Sequence, residues 1–283
     1  PSGMKGLDRT IKLPDGEAVA QFGLGTWRMG ESMAKAAAEL AALRAGLDKG
    51  VRLIDTAEMY GEGGAEEILG HALAGRRDEV FVVSKVYPHN ASRRGVAEAC
   101  ARSLKRLKTD RIDLYLLHWR GNHPLAETVA GFEALKKAGQ IRHWGVSNFD
   151  TADMDDLIEA GGAACAANQV LYNLGRRSLE TGLLDWCRKR RVPIMAYSPL
   201  EQGRLPKSPA LAKIASAKGA TPAQIMLAWA ARFPDVMVIP KATSQAHLAE
   251  NIAAMDVVLS DADIAALDAA LPAPKRATAL DML

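Results

Sequence analysis

Residues 80–118 read VFVVSKVYPHNASRRGVAEACARSLKRLKTDRIDLYLLH, and this stretch decides the fold. The runs over 80–84 and 112–117 are short, nearly continuous in apolar and β-branched residues, and suit strands covered on both faces. Between them, Ser92 is a helix-opening residue and the segment to 107 has helical length and spacing. The same alternation runs through the chain. Further strands are expected over 21–25, 51–54, 141–146, 166–169, 193–197 and 236–239, and further helices near 33–49, 65–74, 124–138, 151–160, 179–190, 221–232 and 245–255. In the first helix Ala36, Leu40, Leu43 and Leu47 recur at three- and four-residue spacing, while Asp150-Thr151 and Thr221-Pro222 carry start signals. Ahead of the alternation, Thr10-Ile-Lys-Leu13 and Ala18-Val-Ala20 flank Pro14-Asp-Gly16, the pattern of a β-hairpin.

Eight strands alternating with eight helices predict a parallel (β/α)8 TIM barrel with an N-terminal β-hairpin, one domain over 4–283. Pro1-Ser-Gly3 ahead of Met4 read as a tag remnant. The competing doubly wound sheet would carry a glycine fingerprint after its first strand. The nearest cluster, Gly61-Glu-Gly-Gly64, has Glu66 where the third glycine belongs, and no phosphate-loop motif exists.

Composition narrows the function. A net charge of +3 on 283 residues, with no basic arm, argues against a nucleic-acid partner. No apolar run long enough for a membrane span is present. Cys100, Cys165 and Cys187 are scattered and odd in number, which argues against a disulfide framework or a zinc site and suits a reducing cytoplasm. No metal is expected.

In a parallel barrel the active site forms where strands end. Here Asp55, Lys85, His118, Ser147-Asn148, Asn168-Gln169, Tyr197-Ser198 and Lys241 all fall at or just beyond expected strand ends. Singly each has a plain reading: a capping aspartate, a solvated lysine, a hydrogen-bonded histidine. Together they would converge on one cavity, and so many polar groups need partners there. Tyr60 follows Asp55 on the same loop. A phenol has an ordinary pKa near 10. A buried ammonium beside it favours the phenolate and lowers that value. Lys85 can play that part, Asp55 can keep the lysine charged, and His118 can orient a substrate oxygen. A proton donor facing a carbonyl needs an electron source, and a bound hydride carrier is the natural complement. Tyr197 offers a ring for a nicotinamide, Ser147, Asn148 and Gln169 offer amide partners, and Lys241 ahead of a helix opening near Ser244 suits a phosphate. Lys85 as a Schiff-base former is the rival chemistry, and its aspartate partner argues against the lowered pKa that role needs.

The motifs Gly23-Leu-Gly-Thr-Trp27, Ile54-Asp-Thr-Ala-Glu-Met-Tyr-Gly61, Val83-Ser-Lys85, Leu114-Tyr-Leu-Leu-His118, Gly145-Val-Ser-Asn-Phe149, Asn168-Gln-Val-Leu-Tyr-Asn173, Ala196-Tyr-Ser-Pro-Leu200 and Ile239-Pro-Lys241 occur in this order. With them the chain resembles the aldo/keto reductases over nearly its whole length. The resemblance implies a tetrad of Asp55, Tyr60, Lys85 and His118 with Tyr60 as general acid, and NADPH lying across the barrel mouth. It implies that Ser147, Asn148 and Gln169 hold the carboxamide, that Tyr197 stacks on the nicotinamide, and that Ser198 and Leu200 follow the pyrophosphate. Lys241 would meet the 2′-phosphate, with Thr243, Ser244, His247 and Asn251 around it, and Thr26, Trp27 and Gln202 would also border the cofactor. Trp27 and Trp119 match the walls of the family's substrate pocket.

One departure bears on cofactor choice. The family's NADPH forms usually carry serine after the phosphate lysine and arginine six residues after it; here these are Ala242 and His247. The expectation is NADPH with a narrowed margin over NADH. Glu58-Met-Tyr60, Lys85-Val-Tyr87, His118-Trp119 and the terminal Thr278-Ala-Leu-Asp-Met-Leu283 resemble bacterial members that reduce small 2-oxoaldehydes such as methylglyoxal. The loop Trp119-Arg-Gly-Asn-His123 is short, and Arg120 and His123 read as solvated, with an anion-attracting role as the alternative. A small-molecule carbonyl substrate and a monomer or weak homo-oligomer are expected. The other function class is a nicotinamide-sensing subunit of the same fold.

Overall fold

The computed structural model describes residues 5–241 and 244–283. Strands β1 (Thr10–Lys12) and β2 (Ala18–Ala20) pair antiparallel as the hairpin. The eight strands that follow are β3 (Leu24–Gly25), β4 (Leu53–Asp55), β5 (Phe81–Val86), β6 (Ile112–Leu117), β7 (Ile141–Ser147), β8 (Asn168–Leu171), β9 (Ile194–Tyr197) and β10 (Val236–Val238). They pair in chain order, each parallel to the next. Parallel bridges from Phe22 to Val238 and from Gly25 to Lys241 bring the first strand against the last and close the barrel.

The helices are α1 (Met33–Asp48), α2 (Gly64–Ala72), α3 (Arg93–Leu107), α4 (Leu125–Lys137), α5 (Thr151–Glu159), α6 (Leu183–Lys189), α7 (Pro209–Lys218), α8 (Pro222–Ala230), α9 (Gln245–Ala254) and α10 (Asp261–Ala270). Two of them, α7 and α10, fall outside the eight expected positions. Both carry start signals like those of α3, α5, α8 and α9: the Ser208 hydroxyl caps Leu211 N–H ahead of Pro209, and Ser260 forms a reciprocal capping box with Asp263. They are additions to the alternation, so a count of eight units passes over them. The segment expected as helix 179–190 begins with a 3-10 turn, Ser178–Thr181, because Gly182 (φ 164°) interrupts it before α6.

Strand parity sorts the core. One apolar cluster lies between barrel and helices, and a second fills the barrel interior with Leu53, Val83, Leu114, Leu116, Ala167, Met195 and Met237. On every strand the residue two places beyond an interior apolar side chain shares its face. Leu53 leads to Asp55, Val83 to Lys85, Leu116 to His118, Ala167 to Gln169 and Met195 to Tyr197. Gly145 sits in this interior layer at the step before Ser147. A Cβ there would lie 2.5 Å from the Ala167 carbonyl oxygen and 2.9 Å from a Leu116 methyl, so only glycine lets these strands approach.

The hairpin closes the other end. Ile11, Leu13 and Val19 join the interior cluster. Glu17 reaches up to the His143 imidazole and the Arg142 guanidinium, and Arg142 also donates to Asp113 at 3.2 Å. The three cysteines are buried. Among the described residues no helix is long and apolar enough to cross a membrane. Pro1-Ser-Gly3, Met4, Ala242 and Thr243 lie outside the described residues.

Candidate functional site

Strand register brings the first pair together. Asp55, the last residue of β4, is level with Val83, and Lys85 stands two residues further up the same face of β5. Both are buried, and the lysine is 0% exposed. Lys85 Nζ donates to the Asp55 carboxylate oxygens at 2.9 and 2.8 Å, to the Thr56 carbonyl at 3.0 Å and to the Tyr60 hydroxyl oxygen at 3.0 Å. These partners use all three ammonium protons. Because the lysine donates to the phenol oxygen, the phenol's own proton is left for another acceptor.

Tyr60 reaches the mouth through its loop. Gly61 (φ 60°) and Gly63 (φ 92°) turn the chain left-handed, and a Cβ on Gly61 would lie 2.7 Å from the Gly30 backbone. The glycine cluster that failed as a nucleotide fingerprint therefore packs this loop tightly against its neighbour. His118 follows β6, with its ring edge-on to Tyr60 at 5.8 Å and to Trp119 at 4.9 Å. His118 Nδ1 is buried with no hydrogen-bond partner among the described residues.

Burial governs the titration of this group. It pushes the Tyr60 phenol above its ordinary value; Lys85 opposes the rise and Asp55 adds to it. The expected lowering by Lys85 is present but is outweighed, because a phenolate in this interior loses more hydration than one ammonium restores. Burial also lifts the Asp55 carboxyl, against Lys85 and Gln169. For Lys85 burial acts downward, but Asp55 and Tyr60 together overcome it and leave the ammonium above the ordinary lysine value. A lysine in that state is no free amine, which removes the ground for Schiff-base chemistry. Burial, then Lys85, hold His118 well below the ordinary histidine value, so its ring is neutral.

A cavity of about 1100 Å³ opens above this cluster. Trp27, Met59, Trp119, Met282 and Leu283 supply apolar wall to this cavity, and Tyr60, His118, residues of 198–205, Lys241, His247 and Asn251 line it as well. A shallower hollow of about 570 Å³ between α3 and α4 gathers none of the polar strand-end residues.

The aldo/keto reductase family model matches residues 21–272, most of the chain. The chain belongs to the aldo/keto reductase family. It is 53% identical over 281 residues to the Escherichia coli (strain K12) methylglyoxal reductase YeaE, covering 97% of this chain and 99% of that protein. The glyoxal reductase of Bacillus subtilis (strain 168) is 33% identical over 265 residues, 93% of each chain. Among solved structures, an aldo-keto reductase from Klebsiella pneumoniae in complex with NADPH superposes with a TM-score of 0.94 at 51% identity, over 97% of this chain and 99% of that one.

Against the family's pattern, most residues expected at the cofactor line the cleft: Trp27, Ser147, Asn148, Gln169, Tyr197, Ser198, Leu200, Gln202, Lys241, His247 and Asn251. Thr26 lies beneath it, fully buried, with its hydroxyl donating to the Asp55 carbonyl at 2.9 Å. Ser244 caps α9 by accepting from His247 N–H at 3.2 Å, and is not in the cleft lining. Gln169 Nε2 donates to Asp55 Oδ1 at 2.8 Å, so this amide touches the buried pair directly. Tyr197 donates to Asn148 Oδ1 at 2.8 Å, and the Asn148 amide donates to the His118 carbonyl at 3.2 Å. Arg120 is paired with Asp153 at 2.9 Å and Asp156 at 2.8 Å, and His123 lies 3.2 Å from the His89 carbonyl; neither reaches the cleft. Sequence reading missed Arg28, Met59, Arg204, Met282 and Leu283 as cleft residues. Arg28 and Met59 stand beside recognised motif residues and could have been found by position. Arg204 lies two residues beyond Gln202, and Met282 and Leu283 belong to the terminal motif already noted, whose place at the cleft only the fold reveals.

Proposed function

We propose that this reductase uses NADPH to turn small aldehydes and ketones, 2-oxoaldehydes such as methylglyoxal among them, into alcohols. The observation that carries the reading is the hydrogen bond from Lys85 to the oxygen of Tyr60 at 3.0 Å, on a side chain that lines the cleft, so that the phenol proton is free for an acceptor there. The cleft residues fit a nicotinamide dinucleotide. Its volume exceeds the roughly 300–1,000 Å³ of ordinary small-ligand sites. Lys241 is half-buried, and burial holds its ammonium below the ordinary lysine value, a penalty that a bound phosphate would relieve. Ser147, Asn148, Gln169 and Tyr197 would surround the carboxamide and ring. When bound, the cofactor supplies a hydride to the carbonyl carbon.

The chain's residues do the rest. Neutral His118 offers a ring N–H to the carbonyl oxygen and orients it against Tyr60. As charge builds on that oxygen, Tyr60 gives up its proton and the alcohol forms. The phenolate left behind is held by the Lys85 ammonium, which Asp55 keeps charged, until solvent returns a proton. A phenol raised by burial stays fully protonated at neutral pH and is always loaded as an acid. Trp27, Met59 and Trp119 give the carbonyl an apolar wall suited to small substrates. The similarity to proteins named methylglyoxal and glyoxal reductases supports that substrate class. We also read 4–283 as one domain acting as a monomer or weak homo-oligomer in the cytoplasm. In support, among the described residues Met33, Ile158 and Val258 are exposed singly and far apart in the chain, and the adjacent exposed pair Met282 and Leu283 borders the cleft.

Tyr60→Phe tests the assignment. With NADPH and methylglyoxal, kcat should fall by about 10²-fold or more while NADPH binding persists. Reduction at the parent rate would refute the acid role, and a parent that neither binds nor oxidises NADPH would end the reading.

A further inference from the structure

The loop after β8 grips two segments that border the cleft. Arg176 donates from Nε and Nη2 to Glu201 Oε1 at 3.1 and 2.9 Å. Asn173 Nδ2 donates to the other Glu201 oxygen at 2.6 Å and to the Ser198 carbonyl at 3.0 Å. Glu201 belongs to the cleft's roof over 198–205, where Ser198, Glu201 and Gln202 hold φ of 48°, 48° and 55°. Left-handed backbone at three residues with side chains persists only when its surroundings hold it, and the Glu201 carboxylate is the handle by which this stretch is held.

The same guanidinium faces the segment beyond α10. Arg176 Nη1 stands 4.0 Å from Asp281. Asp281 and Ser178 exchange hydrogen bonds: Ser178 N–H donates to Asp281 Oδ2 at 3.2 Å, and Asp281 N–H donates to the Ser178 hydroxyl at 2.8 Å. Met282 and Leu283, next along, form part of the apolar wall of the cleft that Tyr60 also lines. Arg176 lies between roof and wall and lines neither.

We propose that Arg176 is a positioning residue that couples the two: through Glu201 it fixes the roof, and through Asp281 it ties the roof to the wall, so that filling the cofactor end sets the apolar surface the carbonyl meets. This rests on the reading of the cleft as a joint cofactor and carbonyl site. An ion pair in which two guanidinium nitrogens share one carboxylate oxygen, at this partial exposure, predicts a moderate effect rather than loss of binding.

The test follows backbone hydrogen exchange over 198–205 and 278–283 with and without NADP⁺, alongside NADPH affinity by tryptophan fluorescence. In the parent, NADP⁺ should slow exchange in both segments. In Arg176→Gln, NADPH Kd should weaken by about three- to tenfold, protection of 278–283 should vanish, and KM for methylglyoxal should rise more than kcat falls. Arg176→Lys, which keeps charge without the fork, should restore part of each effect. Should Arg176→Gln fold poorly, Glu201→Gln cuts the link from the other side and should lose the same protection. Persistence of NADP⁺-induced protection at 278–283 in these variants overturns the coupling. So does a parent that binds NADPH without protecting that segment. A parent that binds no NADPH at all sinks the cofactor reading instead, and the coupling falls with it.

Discussion

Asp55→Asn probes the buried pair most directly. In the parent, the 0% exposed Lys85 holds two contacts to Asp55, at 2.9 and 2.8 Å, and single contacts to Thr56 and Tyr60. The variant leaves the ammonium with neutral partners only. Removing one member of a buried ion pair costs about 3–5 kcal/mol, because the remaining charge is desolvated without compensation. At roughly 2–4 °C per kcal/mol for a domain somewhat smaller than this one, the melting temperature should drop by about 6–20 °C. The pH dependence supplies a second signature. In the parent the Lys85 pKa is raised, so its contribution to stability is fully present below the ordinary value of 10.5 and is lost as pH rises through the folded value. Without Asp55, burial outweighs what the remaining Tyr60 contact gives back and drives the lysine's pKa below that of the unfolded chain. The unfolded state then binds the extra proton, and stability rises with pH instead. Calorimetric melting from pH 6 to 10 measures both. A variant within about 1 kcal/mol of the parent at pH 7, with an unchanged slope above it, would refute the claim that this pair is a coupled charge held dry.

The pair's neighbours give further tests. His118 is held well below the histidine value of 6.5, so the unfolded chain takes up a proton that the native one refuses as pH falls below 6.5. Stability should therefore decline toward acid by up to about 1.4 kcal/mol per pH unit from this residue, and His118→Phe should flatten the slope in urea titrations at pH 5 to 7. For cofactor choice, kcat/KM with NADPH should exceed that with NADH by a modest factor, and His247→Arg should widen the ratio about tenfold through a guanidinium fork on the phosphate; a clear NADH preference in the parent would contradict this. Borohydride with a ketone substrate should leave Lys85 unmodified by mass spectrometry, since its ammonium donates to Asp55, Thr56 and Tyr60; a stable adduct there would overturn the acid–base reading.

The barrel was legible because its signals are local. Near-continuous apolar runs such as Ile112–Leu117 mark strands covered on both faces, and period-two parity then puts Asp55, Lys85, His118 and Gln169 on the interior face at the mouth. Position along a strand is a one-dimensional property, so it survives in the sequence. What escaped is either additional to the alternation or made by long-range meeting. Helices α7 and α10 have ordinary caps but no strand of their own. Met282 and Leu283 stand more than two hundred residues from Tyr60 in the chain, and only the closed barrel brings them to one cavity. The sign of the Tyr60 shift was lost for a related reason. The ammonium beside it could be inferred from spacing, but the depth of burial that outweighs it is set by the whole fold.

The three buried cysteines acquire a chemical meaning beside such a cleft. Thiolates add to carbonyl electrophiles such as 2-oxoaldehydes far faster than thiols do. Burial pushes Cys100, Cys165 and Cys187 each up to about 12, which leaves about one thiolate in 10⁵ at neutral pH, and that one is shut away from solvent. None of these three thiols is open to a carbonyl electrophile, so exposure to a reactive dicarbonyl would not inactivate the protein through them.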